Sequence, residues 1–414
     1  MDDNNNFIKH NKNKKGVYEL NLNFYHDTKI KYCQENLKYY NSGFNYNVWK
    51  RYLKTFDTLS VHTRLESISK STDISESESS GPNVTFEPIK TYKGLKSIFN
   101  IKKIILEIEE SINDQEYFII RIPSIIGLIA GLLLIRKKKK YMVEVVGCAR
   151  NAYLYRGDIV SKLIALPMYY LQKKVVRNAS VASYITENYL SEIYKNNKII
   201  YTGVSNVHYD SDKDVYNGIR KMELALNDNN DRGYYTVGLI GSLDVNYKGH
   251  LTAFKAVKFI KESGYNIHLK LVGPGNLKRW KRKINKLGIE DNIELVGKLP
   301  AGEAIDKYLK ELDFYIQPSK TEGHGRALVE AVNNSCVCFG SNVGGIPETL
   351  NKDYLFKPGD YKGLSRMIIE HMNSQEKKIE NIEKNYSKLV KYNPILIEKK
   401  REAALECYRK EGLK

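Results

Sequence analysis

The chain is poor in cysteine. Five cysteines are spread over 414 residues, and only Cys336 and Cys338 stand close together, in an apolar run where buried thiols are the ordinary explanation. This distribution excludes a disulfide framework and offers no metal-ligand spacing, so we expect a reducing compartment and no bound metal. The first residues, Met1–Asn6, are polar and acidic and do not resemble a secretion signal. We therefore expect a cytoplasmic protein.

The apolar run Ile125–Ile135 is too short to cross a membrane. It has 11 residues, whereas a spanning helix needs about 20, so it predicts a buried helix. The basic block Arg136–Lys140 follows it, and each basic residue near an anionic lipid surface contributes roughly 1 kcal/mol. The block leaves two alternatives open: a solvated surface, or a peripheral position at the inner face of the cell membrane.

Acidic residues are outnumbered. The chain has 48 Asp and Glu against 66 Lys and Arg, a formal net charge of +18. Such a balance points to a nucleic acid, an anionic membrane or a phosphorylated substrate, although a lysine-rich proteome explains it equally well. The basic run Lys278–Lys283 contains Trp280, which falls in the apolar stripe of a predicted helix. The run is therefore interpreted as a solvated face, and no nucleic acid partner is expected.

Common nucleotide-binding motifs are missing. There is no Walker sequence, no dinucleotide-binding glycine triplet and no Asp-x-Asp pair after a predicted strand. What the chain does have is an alternation of strands and helices that occurs twice. The first series predicts strands at Tyr18–Phe24, Phe56–Val61, 116–120, 141–146, 181–185 and 198–201, with helices at Ile125–Ile135 and 159–175. The second predicts strands at Tyr235–Ile240, Ile267–Val272, Ile293–Val296, Phe314–Ile316 and Cys336–Phe339.

This rhythm is typical of the α/β class. It predicts two doubly wound domains with parallel sheets and a cleft between them, in which ligands bind at the carboxyl ends of the strands. We predict a disordered tail over 1–16, a first domain over 17–208, a linker over 209–233 and a second domain over 234–392. A final helix is predicted over 395–411.

The most informative segment runs from Glu322 to Glu330. It follows an apolar strand, passes through a turn flanked by two glycines and opens a helix. The unpaired N–H groups and the positive dipole end of such a helix form an anion site. Carboxylates do not bind phosphate, so the two glutamates are suited to accept hydrogen bonds from sugar hydroxyls. Both properties together suit a nucleotide sugar.

The segment resembles the Glu-x7-Glu signature of the retaining glycosyltransferases of family four, which have the GT-B fold. Ile240–Leu243 with Lys248 is similar to their first donor-domain loop, and Leu271–Gly275 and Val296–Gly297 are similar to the next two. The resemblance covers roughly residues 235–350. It implies two Rossmann-like domains facing a cleft, an acceptor-binding first domain, a donor-binding second domain and a C-terminal helix that crosses back onto the first.

The resemblance also implies roles for individual residues. Glu322 would meet the donor sugar near the reacting carbon, Glu330 would bind the ribose, and Lys248 would meet the leaving diphosphate. The other implied donor-binding positions are Gly241, Ser242, Gly273, Gly275, Gly297, Gly323, His324, Gly325, Arg326, Ala327 and Leu328. Ser242 stands where the family usually has arginine, so Arg326 or backbone N–H groups would supply the missing charge. His324 is interpreted as a shape element rather than a base.

The first domain departs further from the family. Asn41–Gly43 replaces the usual glycine-rich loop, and no histidine follows the middle strand, where the chain has Gly147–Asn151. Segments 39–52 and 121–124 are similar to bacterial surface-polysaccharide members. The acceptor-side candidates are Gly43, Arg121, Glu144, Arg150 and Asn151.

The implied activity is transfer of a sugar from a nucleotide diphosphate donor, with UDP expected, to a hydroxyl of a glycan or lipid-linked acceptor with retention of configuration. The pathway expected is bacterial surface polysaccharide (capsule) synthesis. No metal or other cofactor is expected, because helix ends and a lysine neutralise the diphosphate. Two alternatives stay open: a GT-B nucleotide-sugar epimerase, which needs no acceptor, and a catalytically weak partner subunit. The presence of Glu322, Lys248 and Glu330 counts against the second.

Overall fold

The computed structural model describes residues 19–71, 74, 76–89, 97–155, 158–207 and 233–412. The predicted tail (1–16) and nearly all of the predicted linker (209–232) lie outside the described residues. In chain order, the strands are β1 Asn21–Cys33, β2 Lys38–Tyr40, β3 Thr58–Ile68, β4 Val84–Pro88, β5 Tyr117–Ile122, β6 Met142–Val145, β7 Val181–Tyr184, β8 Ile199–Tyr201, β9 Tyr235–Ile240, β10 Ile267–Val272, β11 Ile293–Gly297, β12 Phe314–Gln317, β13 Val337–Ser341 and β14 Leu355–Phe356.

The helices alternate with these strands and cover both faces of each sheet. They are α1 Tyr46–Leu53, α2 Ser97–Ile112, α3 Ile125–Arg136, α4 Ala149–Leu154, α5 Ile159–Asn178, α6 Tyr189–Ile193, α7 His250–Glu262, α8 Lys278–Leu287, α9 Glu303–Lys310, α10 Arg326–Asn333, α11 Ile346–Thr349, α12 Tyr361–Met372, α13 Gln375–Tyr386 and α14 Pro394–Gly412.

The first sheet has the order β4-β3-β1-β5-β6-β7-β8, with β2 added to β1. All its pairs are parallel except β1–β2. The central strands β6 and β7 are buried at every position, as expected for a parallel sheet covered on both faces. The order reverses between β1 and β5, which makes the carboxyl ends of these two strands a natural binding edge.

The second sheet is fully parallel, in the order β11-β10-β9-β12-β13-β14. In order of appearance this is 3-2-1-4-5-6, the doubly wound arrangement, with its reversal between β9 and β12. Strands β9 and β10 have the predicted bounds, and the other three predicted strands of this sheet are found within two residues. The prediction of two doubly wound domains is confirmed.

Two strands of the first domain differ from the prediction. β1 continues to Cys33 instead of ending at Phe24, and β3 ends at Ile68 instead of Val61. The register of β1 against β3 shifts between Tyr25 and Lys29. Such a bulge places polar residues inside a strand and breaks the alternation by which strands are recognised. Strands β2, β4 and β14 have no counterpart in the prediction, because they are short edge strands that depend on their partners.

The C-terminal helix α14 crosses onto the first domain, as the resemblance implies. Its Tyr408 hydroxyl accepts a hydrogen bond from the N–H of Phe118 at 2.7 Å, and the Arg401 guanidinium donates to the carbonyl of Ser205 at 2.6 Å. Leu405 is 1% exposed and packs in the core beneath the first sheet. Burial of this apolar face holds the helix against a domain from which it is distant in sequence.

A second contact joins the domains at the carboxylate of Glu348 on α11. It accepts hydrogen bonds from the backbone N–H groups of Glu187, Asn188 and Tyr189, at 2.7, 3.0 and 2.8 Å. These are the unpaired N–H groups at the start of α6, so the carboxylate caps a helix of the opposite domain. The two sheets are therefore tied together beside the cleft.

Replacing Leu405 with alanine tests the crossing helix. We expect a loss of about 2–5 kcal/mol in the free energy of unfolding, because the cavity lies in a packed interface. Lys399→Ala, at an exposed position of the same helix, is the matched control. Urea unfolding monitored by circular dichroism measures both, and equal midpoints for the two variants would contradict the assignment.

Candidate functional site

The site is built where the order of the second sheet reverses. The loop after β9 carries Lys248, and the loop after β12 carries Glu322. Their side chains meet, with Lys248 Nζ 2.8 Å from Glu322 Oε2. Both side chains are largely buried, 20% and 13% exposed, so their attraction is only weakly screened by water. The two residues to which the sequence assigns the chemistry thus form one ion pair.

Glu322 is held in place by a buried polar relay. The Tyr315 hydroxyl donates to Gln317 Oε1 at 2.7 Å, which orients the amide of Gln317. The amide nitrogen then donates to Ser319 Oγ at 2.9 Å and to Glu322 Oε2 at 3.2 Å. Ser319 Oγ also donates to Glu322 Oε2 at 3.2 Å. Oε2 therefore has three donors, and within the described part of the chain Oε1 has none.

The predicted glycines converge beside this pair. Gly241 N donates to Val272 O at 2.8 Å, and Gly273 N donates to Gly297 O at 2.9 Å, so the loops after β9, β10 and β11 are linked by backbone. Gly273 has φ 145°, and a Cβ there would lie 2.4 Å from Gly241 O. A side chain at this position would push the loops apart.

A second glycine pair, absent from the predicted site residues, supports the turn after Glu322. A Cβ on Gly344 would lie 1.8 Å from the carbonyl oxygen of Glu322, and one on Gly345 would lie 2.6 Å from that of Gly323. On its other side Gly323 approaches the first domain, since a Cβ there would be 3.0 Å from Val146 O. The turn is therefore packed between both domains, which requires glycine for steric reasons.

His324 is buried in this turn and packs edge-on against Tyr392, with ring centroids 5.2 Å apart. Burial, with smaller contributions from the charges of Lys391 and Arg326, lowers the pKa of His324 to about 4. The imidazole is neutral at neutral pH. Its Nε2 is buried and has no hydrogen-bond partner among the described residues.

Helix α10 begins after Gly325, which adopts the left-handed conformation (φ 73°) and provides no side-chain cap. Arg326 is exposed at the first position, and Ala327 packs partly into the domain core. Leu328 is fully buried and donates its N–H to Gly325 O, so it stabilises the turn from the core side. Glu330 is partly exposed one turn further on.

Ser242 has a local role. Its hydroxyl accepts a hydrogen bond from the N–H of Asp244 at 3.2 Å, which closes the turn after β9. The side chain of Asp244 also limits the next loop, because a Cβ on Gly275 would lie 2.6 Å from Asp244 Oδ1. Arg279 donates to the carbonyl of Asp244 and to Asn246 Oδ1 at 2.6 Å. Ser242 and Arg279 thus hold the loop after β9 in its conformation.

On the first domain, the structure pairs two of the five acceptor-side candidates and places the neighbour of a third, Gly43, beside them. Arg121 and Glu144 are neighbours across β5 and β6 and form an ion pair of 2.6 Å. The Tyr52 hydroxyl donates to the other oxygen of Glu144 at 2.9 Å. The guanidinium of Arg121 lies 5.3 Å from the ring centre of Phe44, the residue after Gly43. Arg121 and Glu144 lie near the carboxyl ends of β5 and β6 in the first sheet.

The other two candidates, Arg150 and Asn151, lie on α4. Arg150 is exposed, and Asn151 donates to the Tyr189 hydroxyl at 3.2 Å. Neither has a hydrogen bond or ion pair with the Arg121–Glu144 pair. The structure thus places these two candidates near α6 instead.

Sequence reasoning missed His26 and Asp27 at the reversal point of the first sheet. Asp27 accepts hydrogen bonds from the N–H groups of Ile125 and Ile126, at 2.6 and 3.4 Å, at the start of α3. His26 Nδ1 lies 3.2 Å from Arg121 O, and burial, then the charge of Arg121, lowers its pKa to about 3. Both residues follow the predicted end of β1, so no pattern singled them out.

No described helix is long and apolar enough to cross a membrane. In the same ranges, no three His, Cys, Asp or Glu side chains are grouped so as to hold a metal ion.

Two doubly wound domains that face each other are the architecture of the GT-B fold. The chain belongs to the group 1 glycosyltransferases, whose family model matches residues 226–389. Protein CapJ of Staphylococcus aureus is 39% identical over 392 residues, 94% of this chain and 96% of CapJ. The capsular polysaccharide biosynthesis glycosyltransferase CapH of the same organism is 25% identical over 137 residues, 32% of this chain and 36% of CapH.

The fold has counterparts among solved structures. The crystal structure of Anabaena HepE in complex with UDP-glucose superimposes with a TM-score of 0.62 at 13% identity, covering 93% of this chain and 99% of that chain. At this identity the likeness shows the shared fold.

Replacing His324 with glutamine tests its buried neutral state. The pKa is about 4 in the folded protein and 6.5 when unperturbed, so below pH 6.5 the unfolded state binds more protons. The free energy of unfolding should fall as the pH drops towards 4, by up to about 3 kcal/mol from this residue.

The slope of the free energy of unfolding against pH is set by how many more protons the unfolded state binds than the folded state. His324→Gln should reduce that number by up to one. Urea unfolding of the ligand-free protein from neutral pH to about pH 4 measures it. His268→Gln, at a half-buried histidine on β10, is the control. Identical slopes in wild type and His324→Gln would contradict the assignment.

Proposed function

We propose that this glycosyltransferase moves a sugar from a UDP-sugar to a hydroxyl of a glycan or lipid-linked acceptor in bacterial surface-polysaccharide synthesis. The reaction proceeds with retention of configuration at the cytoplasmic face of the membrane. The observation that carries the proposal is the Lys248–Glu322 pair at the reversal point of the second sheet. The similarity to CapH supports a capsular product, and the shared fold with UDP-glucose-bound HepE supports the choice of donor.

In this proposal the donor diphosphate binds at the start of α10. The N–H groups of its first turn have no side-chain cap, and their dipole favours an anion. Lys248 lies beside this position, and exposed Arg326 supplies a second cation. Helix ends and these side chains neutralise the diphosphate, so the reaction needs no metal. Glu330 binds the ribose hydroxyls.

Before the donor arrives, the charge of Lys248 is balanced by Glu322. An incoming diphosphate brings new negative charge, and Lys248 then bridges the carboxylate and the phosphate. As the bond to the sugar breaks, charge grows on the leaving oxygen, and an ammonium already in place stabilises it without reorganisation. Oε1 of Glu322 accepts a hydrogen bond from the donor sugar, while the relay from Gln317 and Ser319 holds Oε2.

The acceptor enters from the edge of the first sheet that carries Arg121, Glu144 and the Gly43 loop. Its hydroxyl loses a proton as the diphosphate leaves from the same face, and the leaving phosphate oxygen takes that proton. Loss of hydration lowers the pKa of His26 to about 3 and that of His324 to about 4, so neither imidazole is poised to donate a proton at neutral pH.

Glu330→Ala should weaken binding of the nucleotide sugar. Wild type held with ligand at 100 times its dissociation constant gains about 2.7 kcal/mol of stability, and the variant should lose most of this gain. Thermal unfolding against a panel of nucleoside diphosphates and nucleotide sugars, with and without EDTA, measures it. Glu303→Ala, at an exposed glutamate on α9, is the control. A shift that needs a divalent metal would contradict metal independence.

Lys248→Ala should lower kcat by the equivalent of about 2–4 kcal/mol in the barrier, the loss expected for one donor to a developing anion. Lys255→Ala, an exposed lysine on the following helix, is the control. Wild-type kcat in the Lys248 variant would refute its role.

NMR of the product reports the anomeric configuration. A product with the configuration of the donor supports retention, and an inverted product contradicts it. Release of a free sugar epimer when no acceptor is present would favour the epimerase alternative.

A further inference from the structure

Helix α5 turns its apolar side chains outward. Over its first three turns, Ile159, Val160, Leu163, Leu166 and Tyr170 are 76%, 67%, 73%, 54% and 64% exposed. In the same stretch only Ser161 and Ala165 are fully buried, and Met168 and Tyr169 pack partly against the core. A helix on a water-exposed surface has the opposite distribution, and a contiguous apolar patch of this kind marks an interaction site.

The second half of the same helix is basic. Lys173, Lys174 and Arg177 are exposed there, and they border a groove of about 840 Å³ that Lys195 lines from the other side. The carboxylate in this groove is Glu192. Within the described ranges none of the four cations forms an ion pair. One outward face of α5 is thus apolar at its start and cationic at its end.

The basic block Arg136–Lys140, the membrane candidate of the sequence, is engaged elsewhere. Arg136 and Lys137 both contact Glu109, at 2.8 and 3.1 Å. Lys139 Nζ donates to three backbone carbonyls near the end of α2, each at 2.7 Å, and Lys140 Nζ donates to Glu411 O at 2.8 Å. Most of the block therefore fastens α3 to its neighbours.

We propose that α5 lies in the interface of an anionic lipid membrane. Its exposed apolar side chains from Ile159 to Tyr170 lie among the acyl chains, and Lys162, Lys173, Lys174 and Arg177 lie at the phosphate groups. Its 20 residues span about 30 Å, and an apolar face beside basic residues is the pattern of interfacial helices. A symmetric dimer through this face is disfavoured, because each copy brings the same basic groove towards the other. An anionic membrane offers acyl chains to the apolar half of this face and phosphate groups to its basic half.

Helix α5 is also tied to the cleft. Its buried Gln172 donates to Gly147 O at 2.8 Å and accepts from Ala149 N at 2.7 Å. Gly147 lies in the loop that approaches Gly323 of the opposite domain. The inner side of α5 thus contacts the loop beside the site, and the proposed membrane covers its outer side. This link to a lipid-linked acceptor rests on the proposed function, whereas the membrane contact rests on the surface alone.

Vesicle flotation of the purified full-length protein tests the proposal. We expect binding to phosphatidylcholine vesicles that contain phosphatidylglycerol and much weaker binding to phosphatidylcholine alone. Leu163→Ser/Leu166→Ser should lower the partition coefficient about tenfold or more. Lys173→Gln/Lys174→Gln should lower it about fivefold per lysine, on the anionic vesicles only.

Two matched controls should float like wild type. Val390→Ser/Ile395→Ser removes apolar side chains that are 70% and 66% exposed elsewhere, and Arg136→Gln/Lys138→Gln removes two charges of the sequence-predicted block. Flotation of the α5 variants equal to wild type overturns the proposal. So does a dimer in light scattering that Leu163→Ser/Leu166→Ser dissociates while vesicle binding is unchanged. UDP-induced thermal stabilisation of each variant is measured in parallel, so loss of donor binding is distinguished from loss of membrane binding.

Discussion

The reversal of strand order between β9 and β12 is the constraint on which the site depends. Parallel strands end at the same edge of a sheet, and at this point the loops that follow two adjacent strands separate to opposite faces. Lys248 and Glu322 are carried there from 74 positions apart in sequence and meet at 2.8 Å. The glycine loops, the start of α10 and the buried relay from Tyr315 are all arranged around that meeting point.

The site is rigid for steric reasons. Gly273, Gly344 and Gly345 lie so close to neighbouring carbonyl oxygens that a single added carbon would collide. The hydrogen bonds from Gln317 and Ser319 hold the carboxylate of Glu322 in one orientation. Dipoles fixed in advance are worth more to a reaction that develops charge than groups that must reorient. The Glu348 cap and helix α14 hold the first domain against this rigid half.

The first sheet repeats the strand order of the second and adds strands β2 and β8, but its reversal point is built differently. At the reversal point between β1 and β5, Asp27 caps the start of α3, and the largely buried Arg121–Glu144 pair lies beside it. In the second domain, the start of α10 has no side-chain cap. The second domain therefore leaves an uncapped helix start at its reversal point, whereas the helix start in the first domain already binds a carboxylate. Helix α5, with its outward apolar face, belongs to the first domain.

The sequence by itself determined the two α/β domains and most strands of the second sheet, because apolar periodicity and glycine turns are local signals. Through the family resemblance it also singled out Lys248 and Glu322, which the structure brings together. It was wrong about the ends of β1 and β3, because a bulge is defined by its pairing partner. Only the tertiary structure decided that Gln317 orients Glu322, that Asp27 caps α3 and that the apolar face of α5 points outward. Hydrogen-bond partners and exposure depend on which elements pack together, and those elements are mostly distant from one another in sequence.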